Sequence, residues 1–210
     1  MAGHLFKPQD AYVLAIDVGK AMNLGWADNE GNKGGHKTLE ERFVQAGAKL
    51  VGGQPVAIGF EAPIWVPFRM NLATFNKGRG GVESTMKRPW SAGAGATVTA
   101  QALALMPLCL TALKVATNGQ EIPATTFPAA WFRDGGLFVW EAFVSGKHKG
   151  RDHADDAELA VKAFTDRGHA LDSDIPAQLA FSMAAAALLA ASWPVRSEEL
   201  TIPAVVISAG

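Results

Sequence analysis

The stretch Tyr12-Val13-Leu14-Ala15-Ile16-Asp17-Val18-Gly19 decides the fold of this chain. Five residues without charge end on an aspartate, and such a run is typical of a central strand that is covered on both faces. The glycine favours a turn, so Leu24 to Ala27 is predicted as the second strand of a hairpin. Asp28 to Asn32 is turn-forming sequence, and His36 to Leu39 is predicted as a short third strand.

Strands and helices alternate along the rest of the chain. Val56 to Phe60 is a second buried strand that ends on Glu61, and Leu137 to Trp140 is a third that ends on Glu141. Helices are predicted over residues 40–51, 97–117, 153–164 and 178–193, and a last strand over 203–207. This order predicts an α/β fold in one domain over residues 1–210, with a long functional loop at about 62–90 and an added helix and strand at about 176–207.

The composition is that of a globular protein. The chain has 210 residues, is 49% hydrophobic and carries a formal net charge of -1, which argues against a histone-like or tail-like binder. The single cysteine, Cys109, excludes an internal disulfide, and we expect it to be buried in a protein of a reducing compartment.

Two long uncharged segments raise the question of a membrane. Polar residues and a proline interrupt residues 91–113, and residues 175–195 are mostly alanine, so helices buried against a sheet are favoured over membrane spans. The first ten residues lack the apolar core of a signal peptide. We therefore expect a soluble, cytoplasmic protein.

Acidic residues follow the predicted strands in a pattern that suggests a metal site. Asp17, Glu61 and Glu141 each end a strand, and a group of acids (Asp152, Asp155 and Asp156) opens a helix. Carboxylates at the ends of neighbouring strands project toward one rim of a sheet. Several anions held close together need a cation, and Mg²⁺ or Mn²⁺ prefers oxygen ligands. Each acid alone has a structural explanation too, since Asp152 or Asp155 could simply cap the helix.

The same residues resemble a known family. Ala15 to Gly19, followed by Leu24-Gly25-Trp26-Ala27, resembles the first hairpin of ribonuclease H-like nucleases, particularly the RuvC-type Holliday-junction resolvases. The segment from His153 to Val161 resembles the resolvase motif of a His or Asp, two spacers and Asp-Ala at a helix start. This resemblance implies a ribonuclease H-like mixed sheet flanked by helices and four catalytic residues: Asp17, Glu61, His153 and Asp156.

The implied metal ligands are three of these acids, with other acids as further candidates. Asp17, Glu61 and Asp156 would bind Mg²⁺ or Mn²⁺, and the further candidates are Asp152, Asp155 and Glu141. Positions i and i+3 place His153 and Asp156 on one helix face, although the neighbouring Asp155 leaves the register of the motif open by one residue.

A second resemblance is to an uncharacterised group of predicted ribonuclease H-like nucleases. An acid-Ala-Pro sequence follows their second core strand, as in Glu61-Ala62-Pro63, and a glutamate ends a later strand, as in Trp140-Glu141. The loop at 62–90 lies outside the resolvase pattern, so specificity for a four-way junction does not carry over.

Basic and aromatic residues around the acids suggest a nucleic-acid partner. The loop contains five cations, one acid (Glu83) and four interleaved rings, including Trp65, Phe68 and Phe75. Cations for phosphates and flat rings for unstacked bases are typical of single-strand or junction binding. The predicted substrate-binding residues are Arg69, Lys87, Arg88, Trp90, Lys149 and Arg151. Packing of Trp65 and Phe68 against the sheet, with solvated cations, is the alternative.

Two functions from different classes are consistent with these patterns. The first is a divalent-metal-dependent nuclease that cleaves DNA or RNA and does not act at a membrane. The second is a non-catalytic ribonuclease H-like binding or assembly protein, in which the acids are structural or bind a regulatory ion. A homodimer is possible in either case.

Overall fold

A computed structural model describes residues 6–20, 22–87, 89–168 and 170–210 of the chain. Within these residues the fold is α/β, with nine strands and six α-helices. The strands are β1 (Tyr12–Asp17), β2 (Gly25–Asp28), β3 (Lys33–Gly35), β4 (Val56–Glu61), β5 (Trp65–Pro67), β6 (Ala124–Thr125), β7 (Leu137–Phe143), β8 (Ala180–Ser182) and β9 (Val206–Ser208). The helices are α1 (Leu39–Val51), α2 (Gly81–Thr85), α3 (Gly93–Ala116), α4 (Pro128–Asp134), α5 (His153–Thr165) and α6 (Met183–Ala190).

Seven of the described strands form one mixed sheet. Its order is β3-β2-β1-β4-β7-β6, and β9 also pairs with β7. Strand β2 is antiparallel to both of its neighbours, β1 and β3, whereas β4, β7, β6 and β9 run parallel to β1. Strand β6 pairs with the first half of β7 and β9 with its second half. Strands β5 and β8 form a separate two-stranded sheet.

Helices cover both faces of the large sheet, which explains why its central strands are apolar without alternation. Leu14 and Ile16 of β1 face a core that includes residues of α1, α3 and α6. Val13 and Ala15, between them in sequence, face a second core with residues of α4 and α5. All six residues of β1 are buried. The prediction that this strand is central and covered on both faces is therefore confirmed.

Several predicted boundaries are wrong, and in the predicted C-terminal helix the reason is pairing with a distant strand. The third strand is β3, before the predicted residues 36–39, which form a 3₁₀ turn and the start of α1. The predicted helix 178–193 divides into β8, which pairs with β5, and the shorter α6. The loop at 62–90 contains β5 and α2. The last strand begins at Val206, three residues after the predicted start.

Among the described residues, helix α3 is long and apolar enough to cross a membrane, as judged by length and composition alone. One side of the helix packs into the core through residues such as Met106 and Leu110. About a third of its most apolar 18-residue stretch is buried. Cys109 lies on this side, and burial raises the pKa of its thiol to about 12, as expected for a buried cysteine. The localisation of the protein stays a prediction.

Candidate metal centre

Asp17 and Glu61 are brought together by the register of two parallel strands. They are the last residues of β1 and β4, and they are paired directly in the ladder. Because side chains alternate along a strand, both point to the face that holds Val13, Ala15 and Ala57, which is the face covered by α5. The pairing places two carboxylates beside each other at one end of the sheet.

Helix α5 supplies the third carboxylate. Asp152 caps its N-terminus, because its side chain accepts a hydrogen bond from the backbone N–H of Asp155 at 2.9 Å. The helix then presents His153 and Asp156 on the face directed at the strand ends. Asp156 is 4% exposed, and Asp17 is 2% exposed. Asp156 is therefore the acid of this helix that lies close to Asp17 and Glu61.

A glycine allows this helix to approach the sheet. Gly25 of β2 is paired with Asp17 in the antiparallel ladder. A Cβ atom at Gly25 would lie 2.2 Å from the backbone carbonyl carbon of His153, so any other residue would push α5 away. Within the motif Leu24-Gly25-Trp26, the absence of a side chain at Gly25 therefore lets α5 pack close to β2.

The three carboxylates form a compact cluster. One oxygen from each of Asp17, Glu61 and Asp156 lies within 4.8 Å of the other two. His153 contacts the cluster from one side, with 2.6 Å between its Nδ1 and Oδ2 of Asp17. An ionised carboxylate only accepts hydrogen bonds, so the tautomer of His153 with its proton on Nδ1 is the one that can donate to an ionised Asp17. Lys149 contacts the cluster too, and its Nζ donates to Oδ2 of Asp156 at 2.8 Å.

Burial and neighbouring charges shift the pKa values of Glu61 and Lys149. Burial raises the pKa of Glu61 well above its ordinary value, and the hydrogen bond and negative charge of Asp17 raise it further. The pKa of Lys149 lies above its ordinary value. Partial burial alone would lower this pKa, but Glu61, Asp156 and Asp17 raise it and so favour the charged form of the lysine. The arrangement thus favours a bound cation.

The cluster opens into a cleft with apolar walls. The cleft is lined by Asp17, Glu61, Lys149 and His153. Small or apolar residues that follow β1 and β4, belong to α3 or lie at the end of β7 complete the lining: Val18, Ala62, Pro63, Ala94, Gly95, Val98, Ala142, Phe143 and Val144. A polar cluster beside apolar walls is typical of small-molecule and reaction sites. Electrostatic interactions are stronger there than in open solvent.

Comparison of the chain with protein-family models, with curated proteins and with solved structures found no match. The fold family and the activity are therefore inferred from the residues and their geometry.

Glu141 lies on the other face of the sheet. Strand β7 continues to Phe143 because β9 pairs with it, so Glu141 is inside the strand and not at its end as predicted. Its register partner is Phe60, one residue before Glu61, and it therefore shares the face of Phe60, opposite to the carboxylate cluster. Among the described residues, the cluster of three carboxylates does not include it.

Glu141 instead binds a buried arginine of the long loop. Two guanidinium nitrogens of Arg79 donate to its oxygens at 2.7 and 2.8 Å, and Nε of Arg79 donates to Glu83 at 2.9 Å. All three side chains are at most 1% exposed, and the guanidinium lies 4.6 Å from the ring centre of Trp65. Glu141 also accepts from the backbone N–H of Ile64. This network attaches the loop to the sheet next to the cleft.

The remaining acids predicted as further metal ligands have structural partners. Asp152 caps α5, which is the structural alternative to a metal ligand that the sequence allowed. Asp155 forms ion pairs with Lys33 at 2.7 Å and with Arg151 at 3.0 Å. The hydrogen bonds from these two cations lower the pKa of Asp155 to about 2. Arg151, predicted to bind substrate, is thus paired with Asp155, although 90% of its side chain remains exposed.

The predicted substrate-binding residues lie in different environments. Arg69 donates to the backbone carbonyls of Thr74, Lys77 and Gly78, and so holds the loop together. Trp90 is half-buried, and its backbone N–H donates to Glu83. Lys87 is exposed. Arg88 lies outside the described residues.

The loop aromatics also differ from one another. Trp65 is fully buried, as the packing alternative proposed, whereas Phe68 and Phe75 are each 56% exposed. Sequence reasoning missed the pairing of Arg79 with Glu141, because a contact between distant segments leaves no local pattern. One signal was present: the single acid among five cations, Glu83, stands four residues after Arg79.

Proposed function

We propose that this chain has a ribonuclease H-like fold and is a divalent-metal-dependent nuclease. The observation that carries the proposal is the cluster of Asp17, Glu61 and Asp156, with one oxygen of each within 4.8 Å of the others. Three antiparallel strands precede the parallel strands β4 and β7, and the acids stand on β1, β4 and a helix of one face, which agrees with the family resemblance of the sequence.

The residues fit a divalent cation. Carboxylate oxygens are the ligands that Mg²⁺ and Mn²⁺ prefer, and a cation between the three clustered oxygens would offset their mutual repulsion. Asp17, Glu61 and Asp156 would be the ligands. A divalent ion bound there would activate a water molecule and stabilise the leaving oxygen of a phosphodiester.

The chain's own residues orient this centre and control its surroundings. The 2.6 Å contact from His153 fixes the orientation of the Asp17 carboxylate. If Nδ1 of His153 holds the proton, Nε2 of the neutral ring is free to accept one from water. The apolar walls that Pro63, Val98 and Phe143 provide limit the access of bulk water.

Charge and shape around the cleft support a nucleic acid as substrate. The one acid of the loop, Glu83, is buried against Arg79, so the exposed charges of the described loop residues are positive. Lys87 lines a groove that shares Ala94 and Gly95 with the acidic cleft, so a phosphate backbone could follow a continuous path to the carboxylates. The exposed Phe68 and Phe75 offer stacking surfaces for unpaired bases.

The test is cleavage of a labelled panel that contains linear and branched DNA, single strands, RNA and an RNA–DNA hybrid. Wild type and Asp17→Asn are assayed with Mg²⁺ or Mn²⁺, and again with a chelator that removes the metal. Asp155→Asn is the matched control, because this acid is one residue from Asp156 but pairs with Lys33 outside the cluster.

We expect cleavage by wild type and Asp155→Asn, and none by Asp17→Asn. The substrate that is cut identifies the substrate class. Turnover retained by a folded Asp17→Asn variant would refute the assignment of this residue. No cleavage by a folded, metal-loaded wild type would refute the nuclease and favour the non-catalytic binding protein.

A further inference from the structure

Lys149 is part of the carboxylate cluster and not only a neighbour of it. Its ammonium group donates to Asp156 at 2.8 Å, and the lysine lines the same cleft as Asp17 and Glu61. Only 37% of its side chain is exposed. A univalent cation of the chain itself therefore lies where the acids converge, and it competes for the space and the negative charge that a metal ion would use.

Both oxygens of Asp156 already accept hydrogen bonds. Oδ2 accepts from Lys149, and Oδ1 accepts from the backbone N–H of Gly150 at 2.6 Å. Glu61 and Asp17, in contrast, end two paired strands, and one oxygen of each lies within 4.8 Å of the other. A divalent ion between them would offset the repulsion of these two like charges, so the strand-end pair is the part of the cluster with negative charge still to be neutralised.

We infer that Lys149 is a built-in cation that limits this centre to one divalent ion; the inference rests on the proposed nuclease function. Three carboxylates carry a charge of about −3, which one divalent ion and one ammonium group balance. A second divalent ion would leave an excess of about two positive charges beside the lysine. The single ion is bound by Asp17 and Glu61, with Asp156 shared between the ion and Lys149.

Lys149 then has a defined role toward substrate. In a centre with one ion, the ammonium group is the second positive charge that faces a phosphodiester in the cleft. It binds a non-bridging phosphate oxygen as a point charge with three donors. Methionine at this position would remove the charge but keep most of the length of the side chain.

The test is the number of Mn²⁺ ions that the full-length, metal-free protein binds, measured by isothermal titration calorimetry with Mn²⁺ alone. Electron paramagnetic resonance of the loaded protein provides a second readout, because two adjacent Mn²⁺ ions couple magnetically. The variants are Lys149→Met, the charge-preserving Lys149→Arg, and Lys147→Met as the matched control, since Lys147 is an exposed lysine two residues away. Circular dichroism confirms that each variant is folded.

We expect one ion in the wild type, in Lys149→Arg and in Lys147→Met, and two coupled ions in Lys149→Met. The first ion should also bind Lys149→Met about tenfold more tightly, because a nearby positive charge is removed. Two ions in the wild type, or one in a folded Lys149→Met with unchanged affinity, would overturn the inference and leave the nuclease proposal intact. No binding to the wild type would overturn both.

Discussion

Replacement of Arg79 by methionine tests the buried ion network that attaches the loop to the sheet. The guanidinium group makes three charge-assisted hydrogen bonds to Glu83 and Glu141, and all three side chains are at most 1% exposed. Arg79→Met leaves two buried carboxylates without their cation. Removal of one partner from a buried pair costs about 3–5 kcal/mol, a large part of the roughly 5–15 kcal/mol that stabilises a typical domain.

The loss should depend on pH in a defined direction. Burial raises the pKa of Glu141 above its ordinary value even though Arg79 lowers it, so the pKa must rise further in the variant. A raised folded pKa means that stability falls as pH increases from the ordinary glutamate pKa, about 4.3, through the folded value. Arg79→Met should therefore be destabilised less at pH 5 than at pH 8.

The assay is equilibrium unfolding in urea, followed by tryptophan fluorescence at both pH values. Four tryptophans are fully buried, including Trp65 beside Arg79, and report on the packing. Arg133→Met is the control, because this arginine forms an exposed pair with Asp134 and should change stability by no more than about 0.5 kcal/mol. A loss below about 1 kcal/mol for Arg79→Met, or an equal loss at pH 5 and pH 8, would refute the reasoning.

Three further predictions concern the cleft. Metal affinity should rise with pH through the raised pKa of Glu61, with proton release that calorimetry in buffers of different ionisation enthalpy detects; affinity that is constant with pH would contradict this. Gly25→Ala should destabilise the protein by about 1–3 kcal/mol in urea unfolding, because its Cβ would overlap with His153, whereas Gly35→Ala, with ordinary contacts, should be tolerated. Lys87→Ala should lower the slope of log affinity for nucleic acid against log salt concentration by about 1, the value for one phosphate contact. An unchanged slope would show that Lys87 is not in the interface.

The central strands and two of the clustered acids were predictable because their signals are local. An apolar run that ends on Asp17, and another that ends on Glu61, indicate neighbouring buried strands without knowledge of the partner. The position of Asp156 relative to His153 follows from helical periodicity. Strand alternation and helical periodicity each extend over only a few residues, so both can be recognised in the sequence alone.

Features that depend on distant pairing were not predictable from local patterns. Glu141 resembles a strand-end acid in sequence, but β9 extends its strand, and its register with Phe60 turns it to the opposite face. The alanine-rich segment before Ala190 has the composition of a helix, yet its first residues pair with β5. Arg79 and Glu141 are 62 residues apart, and nothing near either residue indicates the other.

The direct pairing of Asp17 with Glu61 has a consequence for the choice of ion. Neighbouring strands are about 4.8 Å apart throughout a sheet, so backbone hydrogen bonds fix the distance between the attachment points of these two acids. Only side-chain length can vary, in steps of one methylene or roughly 1.5 Å. Mg²⁺ and Ca²⁺ differ by only about 0.3–0.5 Å in their distance to oxygen. In the proposed metal centre, size selectivity would therefore depend on strand spacing, and exchange of aspartate for glutamate would be too coarse a step to adjust it.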